Sequence, residues 1–174
     1  MKKSLLASLF ALILATTVQS FSQLREYPDE SLTGVKAVHV VVHYEAPNEA
    51  AYGLTEKDLQ DAVEERLAAD DVSVLDEASW SKEPGEPCFF VNVVGTQVDT
   101  EGKTFAYSFS ADFIQKVMLG RNSSFKTEGA TWSQGYFLVV PYDRLSNVTL
   151  QISDVAHDFA GSLHEANKTL TQRR

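Results

Sequence analysis

The sequence predicts an α/β (α+β) two-layer sandwich with element order β-α-β-β-β-α, in which two helices cover one face of a mixed five-stranded sheet. Apolar residues alternate with polar ones across 104–119, which indicates a half-buried strand. Apolar residues recur at helical spacing in 55–69 and 145–167, which indicates two amphipathic helices. The chain has 174 residues, 44% of them hydrophobic, and this size and composition suit one globular domain.

The N-terminus has the three-part pattern of a secretory signal peptide, which we assign to residues 1–22. Two lysines follow the initiator methionine, Leu5–Leu14 forms an apolar run, and small polar residues follow. A membrane anchor is the alternative, but a span needs about 20 apolar residues and this run is shorter. Cleavage after Ser20 or after Ser22 fits equally well. The sequence therefore predicts a secreted or periplasmic protein with no membrane span after cleavage.

The first half of the domain is predicted from one strand and one helix. Residues 23–34 are polar and contain a proline and a glycine, so we expect a flexible leader. Val35–Tyr44 has two largely apolar faces, which is typical of a central strand. Thr55 suits the N-cap of the helix over 55–69, and Asp58 three residues later completes an acidic variant of the capping box.

The remaining elements follow from turn residues and periodicity. The strand 104–119 should pair in a hairpin with the strand before it, and the domain should extend over 35–167. In chain order, the further predicted elements are a strand at Val72–Leu75, a loop over 76–87, a strand at Cys88–Val98, a polar loop at Gly120–Gly129, a strand at Ala130–Val140, a helix at about Leu145–Asn167 and a polar tail over 168–174.

Composition and motifs exclude several function classes. The formal charge of −9 argues against a nucleic-acid-binding protein, which would show a basic patch. The chain has no Gly-x-Ser-x-Gly motif, no phosphate-binding glycine loop and no Cys/His cluster with zinc spacing. We therefore predict no catalytic residue, no cofactor and no metal ligand, and the sequence does not indicate an enzyme.

Six side chains come nearest to metal-site chemistry: His39, His43, Asp154, His157, Asp158 and His164. The first two histidines lie about 13 Å apart on one strand, and the last two about 10 Å apart along one helix, so neither pair can share an ion. The two aspartates lie one helical turn apart, but a solvated polar helix face explains them. The single cysteine, Cys88, opens the apolar run Cys88–Val91, so we expect it to be buried and unreactive.

The run Gln115–Arg121, followed by Ala130-Thr131-Trp132, resembles short exported bacterial proteins of unassigned activity. The element order is also similar to that of the N-terminal domain of TolB, the periplasmic protein of the Tol–Pal envelope system, and to small domains of envelope-assembly lipoproteins. No β-propeller follows the last predicted helix, and there is no lipobox cysteine. The resemblance implies a fold more than an activity.

The hairpin end over 114–132 is the candidate binding site. The strand 104–119 would span about 53 Å, but the two helices only about 22 Å and 35 Å, so they cannot cover it from end to end. Either a bulge bends the strand around the core, or its end projects as a ribbon with two apolar faces. Aromatic residues, methionine and arginine are enriched in protein interfaces. The predicted partner-binding residues are Ile114, Met118, Arg121, Phe125 and Trp132.

Two functional hypotheses follow. The first is an exported, non-catalytic envelope module that binds or helps to assemble another protein, the partner being another envelope protein or a second copy of this chain. The second is a small-ligand-binding protein or weak hydrolase that uses the uncovered sheet face. A ligand site requires a concave, mostly apolar pocket, whereas a flat open face favours the first hypothesis.

Overall fold

A computed structural model describes residues 29–46 and 53–172, and it contains one five-stranded sheet with helices packed against it. The signal peptide lies outside these ranges. The elements in chain order are a 3-10 helix at Asp29–Leu32, β1 at Ala37–Glu45, α1 at Glu56–Ala69, β2 at Ser73–Val74, α2 at Glu77–Trp80, β3 at Cys88–Gln97, β4 at Thr104–Leu119, β5 at Asn122–Pro141, a 3-10 turn at Tyr142–Arg144 and α3 at Ser146–Gln172.

The strand order is β2-β1-β3-β4-β5. β1 is parallel to both of its neighbours, whereas β3, β4 and β5 form an antiparallel meander. The predicted mixed five-stranded sheet and the interior position of the first strand are therefore confirmed. The observed order, β-α-β-α-β-β-β-α, has one strand and one short helix more than the predicted order β-α-β-β-β-α. None of the helices within the described ranges is long and apolar enough to cross a membrane.

Helix α1 begins where the sequence predicts. Thr55 has extended backbone angles, its side chain accepts a hydrogen bond from the Asp58 N–H, and the Asp58 carboxylate accepts one from the Thr55 N–H. These reciprocal bonds satisfy two backbone donors that a helix start leaves without partners. The face of α1 that follows, with Leu59, Val63 and Leu67, is completely buried.

The core lies between the sheet and the two long helices. Alternate residues of β1, β3 and β4 point toward the helices, and α3 presents a stripe at helical spacing. The largest completely buried side chains of this core include Phe89, Phe105, Tyr107, Phe113 and Phe159. Rings of Phe89 and Phe113 contact Phe159, with centroid distances of 4.5 and 5.3 Å, so α3 is fixed over β3 and β4.

The segment before β1 differs from the predicted leader. From Asp29 onward the chain forms a 3-10 helix, and Leu32 is completely buried in the core. Asn167 of α3 holds the following turn, because its side chain accepts from the Gly34 N–H and donates to the Val35 carbonyl. Residues 23–28 of the predicted leader lie outside the described ranges.

The predicted loop over 76–87 contains the short helix α2. Asp76 caps it by accepting a hydrogen bond from the Ser79 N–H at 2.7 Å. Trp80 at its end stacks on His39 of β1, with ring centroids 4.9 Å apart. Since His39 points away from the long helices, α2 covers one corner of the opposite sheet face.

The predicted polar loop at Gly120–Gly129 is wrong. β5 begins at Asn122, directly after a turn at Gly120 and Arg121, and pairs with β4 at Leu119↔Asn122 and again from Met118↔Lys126 onward. The strand was missed because its first nine residues lack the alternation that marks burial. Backbone pairing within an isolated ribbon requires no buried side chains.

The long hairpin combines parts of both alternatives: its bulge lies in β5 instead of β4, and its end projects, but with polar as well as apolar side chains. The ladder pairs Phe113 with Trp132 and Ile114 with Ala130, so Thr131 is an extra residue that forms a bulge in β5. Ser31 of the 3-10 helix donates to the Thr131 carbonyl, and Gln115 donates to the Thr131 hydroxyl, both at 2.9 Å. Beyond the bulge the hairpin continues as an exposed ribbon.

Candidate docking site at the end of the β-hairpin

The hairpin end extends past the rest of the sheet. β3 begins at Cys88, opposite Ile114, so only β4 and β5 continue from there. The loop before β3 supports the base of the ribbon: the Gly85 carbonyl accepts a 2.7 Å bond from the Lys116 N–H, and Glu86 forms an ion pair with the Lys116 side chain. From Lys116 to Leu119 the ribbon then extends roughly 10 Å further.

Three of the five predicted site residues lie on this projecting end. Met118 is 65% exposed and Phe125 is 58% exposed. Arg121 is exposed and forms no ion pair with any residue in the described ranges. Ile114 lies at the base of the ribbon and is half-buried. The ribbon therefore combines large apolar side chains with a free guanidinium group, as protein interfaces do.

Trp132 is not part of this surface. It is only 8% exposed, and its ring meets Phe159 edge-on at a centroid distance of 5.2 Å and Phe89 at 6.1 Å. Strand and helix lengths alone predict Trp132 at the uncovered end, because they include neither the 3-10 helix with Leu32 nor the full length of α3. Both extend the helical layer over this part of β5, so Trp132 is a core residue.

The two edges of the sheet differ. β2 pairs with only two residues of β1, and α1 covers part of the remaining edge: Gln60 bonds the Val40 carbonyl and the Val42 N–H, and Glu56 accepts from the Tyr44 N–H. At the other edge, β5 is twenty residues long, and β4 is the one described strand that pairs with it. An unpaired edge of this length is a template for a further strand.

The sheet face away from the long helices carries apolar residues that the sequence analysis did not assign. Phe137 of β5 is 71% exposed, and Val139 and Val94 are also exposed. In the register, Val94, Ser108 and Phe137 lie side by side across three strands. The alternation of the fifth strand signals this position, since Phe137 has the opposite parity to the buried Trp132 and Val140. The face is open, which favours protein docking over a ligand pocket.

Two hollows that the structure describes lie on α1; the first has polar and apolar lining in about equal measure, and the second is mainly polar. One is lined by Glu64, Glu65 and Asp71 together with the start of β2, and the other by Glu56, Lys57, Gln60, Asp61 and Glu64. A small-molecule site is normally apolar with a few convergent polar groups. The second hollow lacks an apolar lining, and the first is open to solvent and brings three acidic side chains together with Ala68, Val72 and Val74.

The histidines at the helix interface hold α1 against α3. His157 Nδ1 lies 2.9 Å from Asp70 Oδ2, His164 Nε2 lies 2.6 Å from the Asp70 carbonyl, and Arg66 donates to the Asp70 carboxylate at 2.8 Å. Burial raises the pKa of Asp70, but the bonds from His157 and Arg66 outweigh it and hold that pKa below its ordinary value. This cluster links two helices, which gives it a structural role.

Asp158 and Cys88 also have structural surroundings. Asp158 accepts bonds from Tyr136 and Gln134 at 3.1 Å, which fixes α3 to β5, and burial together with Asp158 raises the pKa of Tyr136. Cys88 is buried; burial first, and the charge of Glu128 second, raise its pKa to about 11. Within the described ranges, no three histidine, cysteine or acidic side chains are grouped as metal ligands would be.

Comparison with known proteins gives weak similarities only. No protein family and no curated protein matches the sequence. A minor lipoprotein from Acinetobacter baumannii is similar at 10% identity and a TM-score of 0.31, over 74% of this chain and 92% of that chain. The rare lipoprotein B from Shewanella oneidensis is similar at 12% identity and a TM-score of 0.28, over 77% and 96% of the two chains. Both are bacterial lipoproteins, and a likeness to TolB is not shown.

Proposed function

We propose that this protein is an exported, non-catalytic module of the cell envelope that docks another protein on the projecting end of the β4–β5 hairpin. Export rests on the signal-peptide pattern of residues 1–22. The site rests on one observation: the ribbon beyond Lys116 exposes Met118 and Phe125 at the end of a sheet whose β5 edge is unpaired among the described residues.

These exposed groups cost stability or solubility unless a partner covers them. A bare strand edge offers N–H and C=O groups to any extended chain, and natural proteins usually protect such edges. Here α1 protects part of the β1 edge, whereas the β5 edge carries exposed aromatic side chains. Large apolar residues beside an unpaired edge suit strand addition by a partner, with side-chain contacts giving specificity.

The test is a double variant, Met118→Asp with Phe125→Ser. Its matched control is Val98→Ser with Leu150→Asp, which changes two exposed apolar residues away from the ribbon. Immobilised proteins would capture partners from an envelope extract, and the affinity of the identified partner would then be titrated. Since loss of a hot-spot contact costs about 2 kcal/mol or more, we expect the hairpin variant to bind at least about tenfold more weakly.

The control variant should bind as the unmodified protein does. Circular dichroism and urea unfolding would verify that both variants are folded. If the folded hairpin variant captures the same protein with unchanged affinity, the partner binds elsewhere and the proposal is wrong.

A further inference from the structure

The exposed start of β5 has a residue order that is complementary to itself. Around Thr127, Lys126 and Glu128 lie one position away on either side, and Phe125 and Gly129 lie two positions away. In an antiparallel strand pair related by a two-fold axis, residues at equal distances from the centre face each other. Centred on Thr127, Lys126 of each copy would therefore lie opposite Glu128 of the other.

The two charged side chains lie on the same sheet face, because they are two positions apart in one strand. Directly opposite residues have Cβ atoms about 5 Å apart, so each Lys–Glu pair would make a cross-strand ion pair, and symmetry gives two of them. The two threonines at the centre would also face each other. We propose that the protein forms a two-fold homodimer in which β5 pairs with β5 of a second copy, centred on Thr127; this goes beyond the proposed function and uses the same unpaired edge.

The groups that this pairing requires are available. Residues 121–128 are all exposed, and neither Lys126 nor Glu128 forms an ion pair with a residue in the described ranges. Within the chain, Glu128 lies opposite Lys116, whose ammonium group is bound to Glu86. A second copy would therefore give Lys126 a partner that its own chain does not.

Local hydrogen bonds set the limits of the paired stretch. The Ser124 N–H donates to the Asn122 side chain, so the tip of the hairpin is satisfied by its own residues. The Thr131 carbonyl accepts from Ser31, so the bulge is occupied by the 3-10 helix. The five residues centred on Thr127, from Phe125 to Gly129, lie between these limits together with Ala130. Of them, Lys126–Gly129 pair regularly with β4, whereas Phe125 belongs to the register shift next to them.

The pair at the ends of this stretch also fits. A Cβ at Gly129 would lie 3.0 Å from a methyl group of Val117, so Val117 leans over the bare glycine. Phe125 of the second copy would lie opposite Gly129 and contact Val117. An aromatic residue facing glycine across two strands covers backbone that glycine leaves exposed.

The paired surface is small. Stable interfaces bury about 1,200–2,000 Å² in total, and a ladder of five residues buries less, so the dimer should be weak and concentration-dependent. Sedimentation equilibrium of the purified mature protein at low salt, over increasing concentrations, would measure its dissociation constant. We expect a monomer–dimer equilibrium that weakens as salt is added, because exposed ion pairs are screened.

Charge reversal tests the register. Lys126→Glu places carboxylates opposite each other in both pairs, and Glu128→Lys places ammonium groups opposite each other, so each variant alone should dimerise roughly tenfold more weakly or worse. An equimolar mixture of the two variants should form a heterodimer, and the double variant carrying both changes should recover the homodimer. Lys103→Glu makes the same charge change at the opposite end of the sheet and should dimerise normally.

The inference is overturned if the unmodified protein is monomeric at all concentrations, or if the mixture of single variants fails to associate. Urea unfolding would verify that each surface variant is folded. If the protein is monomeric, and the Met118→Asp, Phe125→Ser variant no longer captures the partner that the unmodified protein captures, the dimer is wrong and the proposed function stands. If dimerisation follows the charge pattern but the captured protein is insensitive to that variant, the dimer stands and the docking of another protein at this end is wrong.

Discussion

Replacing Trp132 by alanine tests whether this residue belongs to the core or to the proposed surface site. Trp132 is 8% exposed and contacts the rings of Phe89 and Phe159, so truncation removes a large buried side chain and leaves a cavity. Tryptophan-to-alanine changes of this kind cost about 3–5 kcal/mol of unfolding free energy. We expect a loss within that range, because the edge-on contact with Phe159 is lost as well.

The matched comparison is Phe125→Ala. Phe125 is also aromatic and lies on the same strand, but it is 58% exposed. Its removal should change the unfolding free energy by no more than about 0.5 kcal/mol. The same change should weaken partner capture, whereas a folded Trp132→Phe variant should capture normally.

Urea unfolding followed by circular dichroism measures both effects, since the far-ultraviolet signal does not depend on the tryptophan that is removed. The transition midpoint should fall strongly for Trp132→Ala at a nearly constant slope. A loss below about 1 kcal/mol for this variant would refute the packing of β5 against α3. Equal losses for Trp132→Ala and Phe125→Ala would refute the distinction between core and site.

Three further predictions concern other parts of the fold. Leu32→Ala should cost about 2–4 kcal/mol in urea unfolding, because this side chain is completely buried; a loss near zero would show that the 3-10 helix is not part of the core. Cys88 should resist thiol labelling at pH 8 in the native state and react once unfolded, since its pKa is raised to about 11; rapid native labelling would contradict its burial. Asp70→Asn should destabilise the protein by about 1–2 kcal/mol at pH 7, where the carboxylate accepts bonds from His157 and Arg66. Because the pKa of Asp70 is lowered by folding, that difference should be present above pH 4 and disappear as the pH falls through the lowered pKa, as unfolding at several pH values would show.

The sequence predicts the sheet and its helices because their signals are local. The alternation of β4, the helical stripes and the capping box at Thr55 and Asp58 each depend on residues close together in the chain. Since a two-layer arrangement is one of few ways to bury such faces, the architecture follows from them.

The ends of elements could not be predicted in the same way. The start of β5 is exposed on both faces, so its pairing with β4 leaves no pattern of burial in the sequence. The buried Leu32 is a single apolar side chain among polar neighbours, and only the position of α3 in space shows that it enters the core. These are tertiary effects that override local composition.

The residues proposed for the site show the same division between local and tertiary signals. Met118, Arg121 and Phe125 were identified because their strand is longer than the helical layer, and the structure leaves all three exposed. Trp132 was assigned to the same end, yet the bulge at Thr131 and the 3-10 helix bring it under α3. The role proposed for Lys126 and Glu128 could not be predicted, because it depends on their register at the unpaired edge of β5.

Site-specific photo-crosslinking tests the central claim most directly. A photoreactive amino acid would replace Phe125 in one strain and Leu150 in another; Leu150 is 62% exposed but lies on α3, away from the ribbon. In growing cells we expect a discrete, light-dependent protein adduct from position 125 and none from position 150. Adducts that are equal at both positions, or absent from position 125 while the protein is folded and exported, would contradict docking on the hairpin.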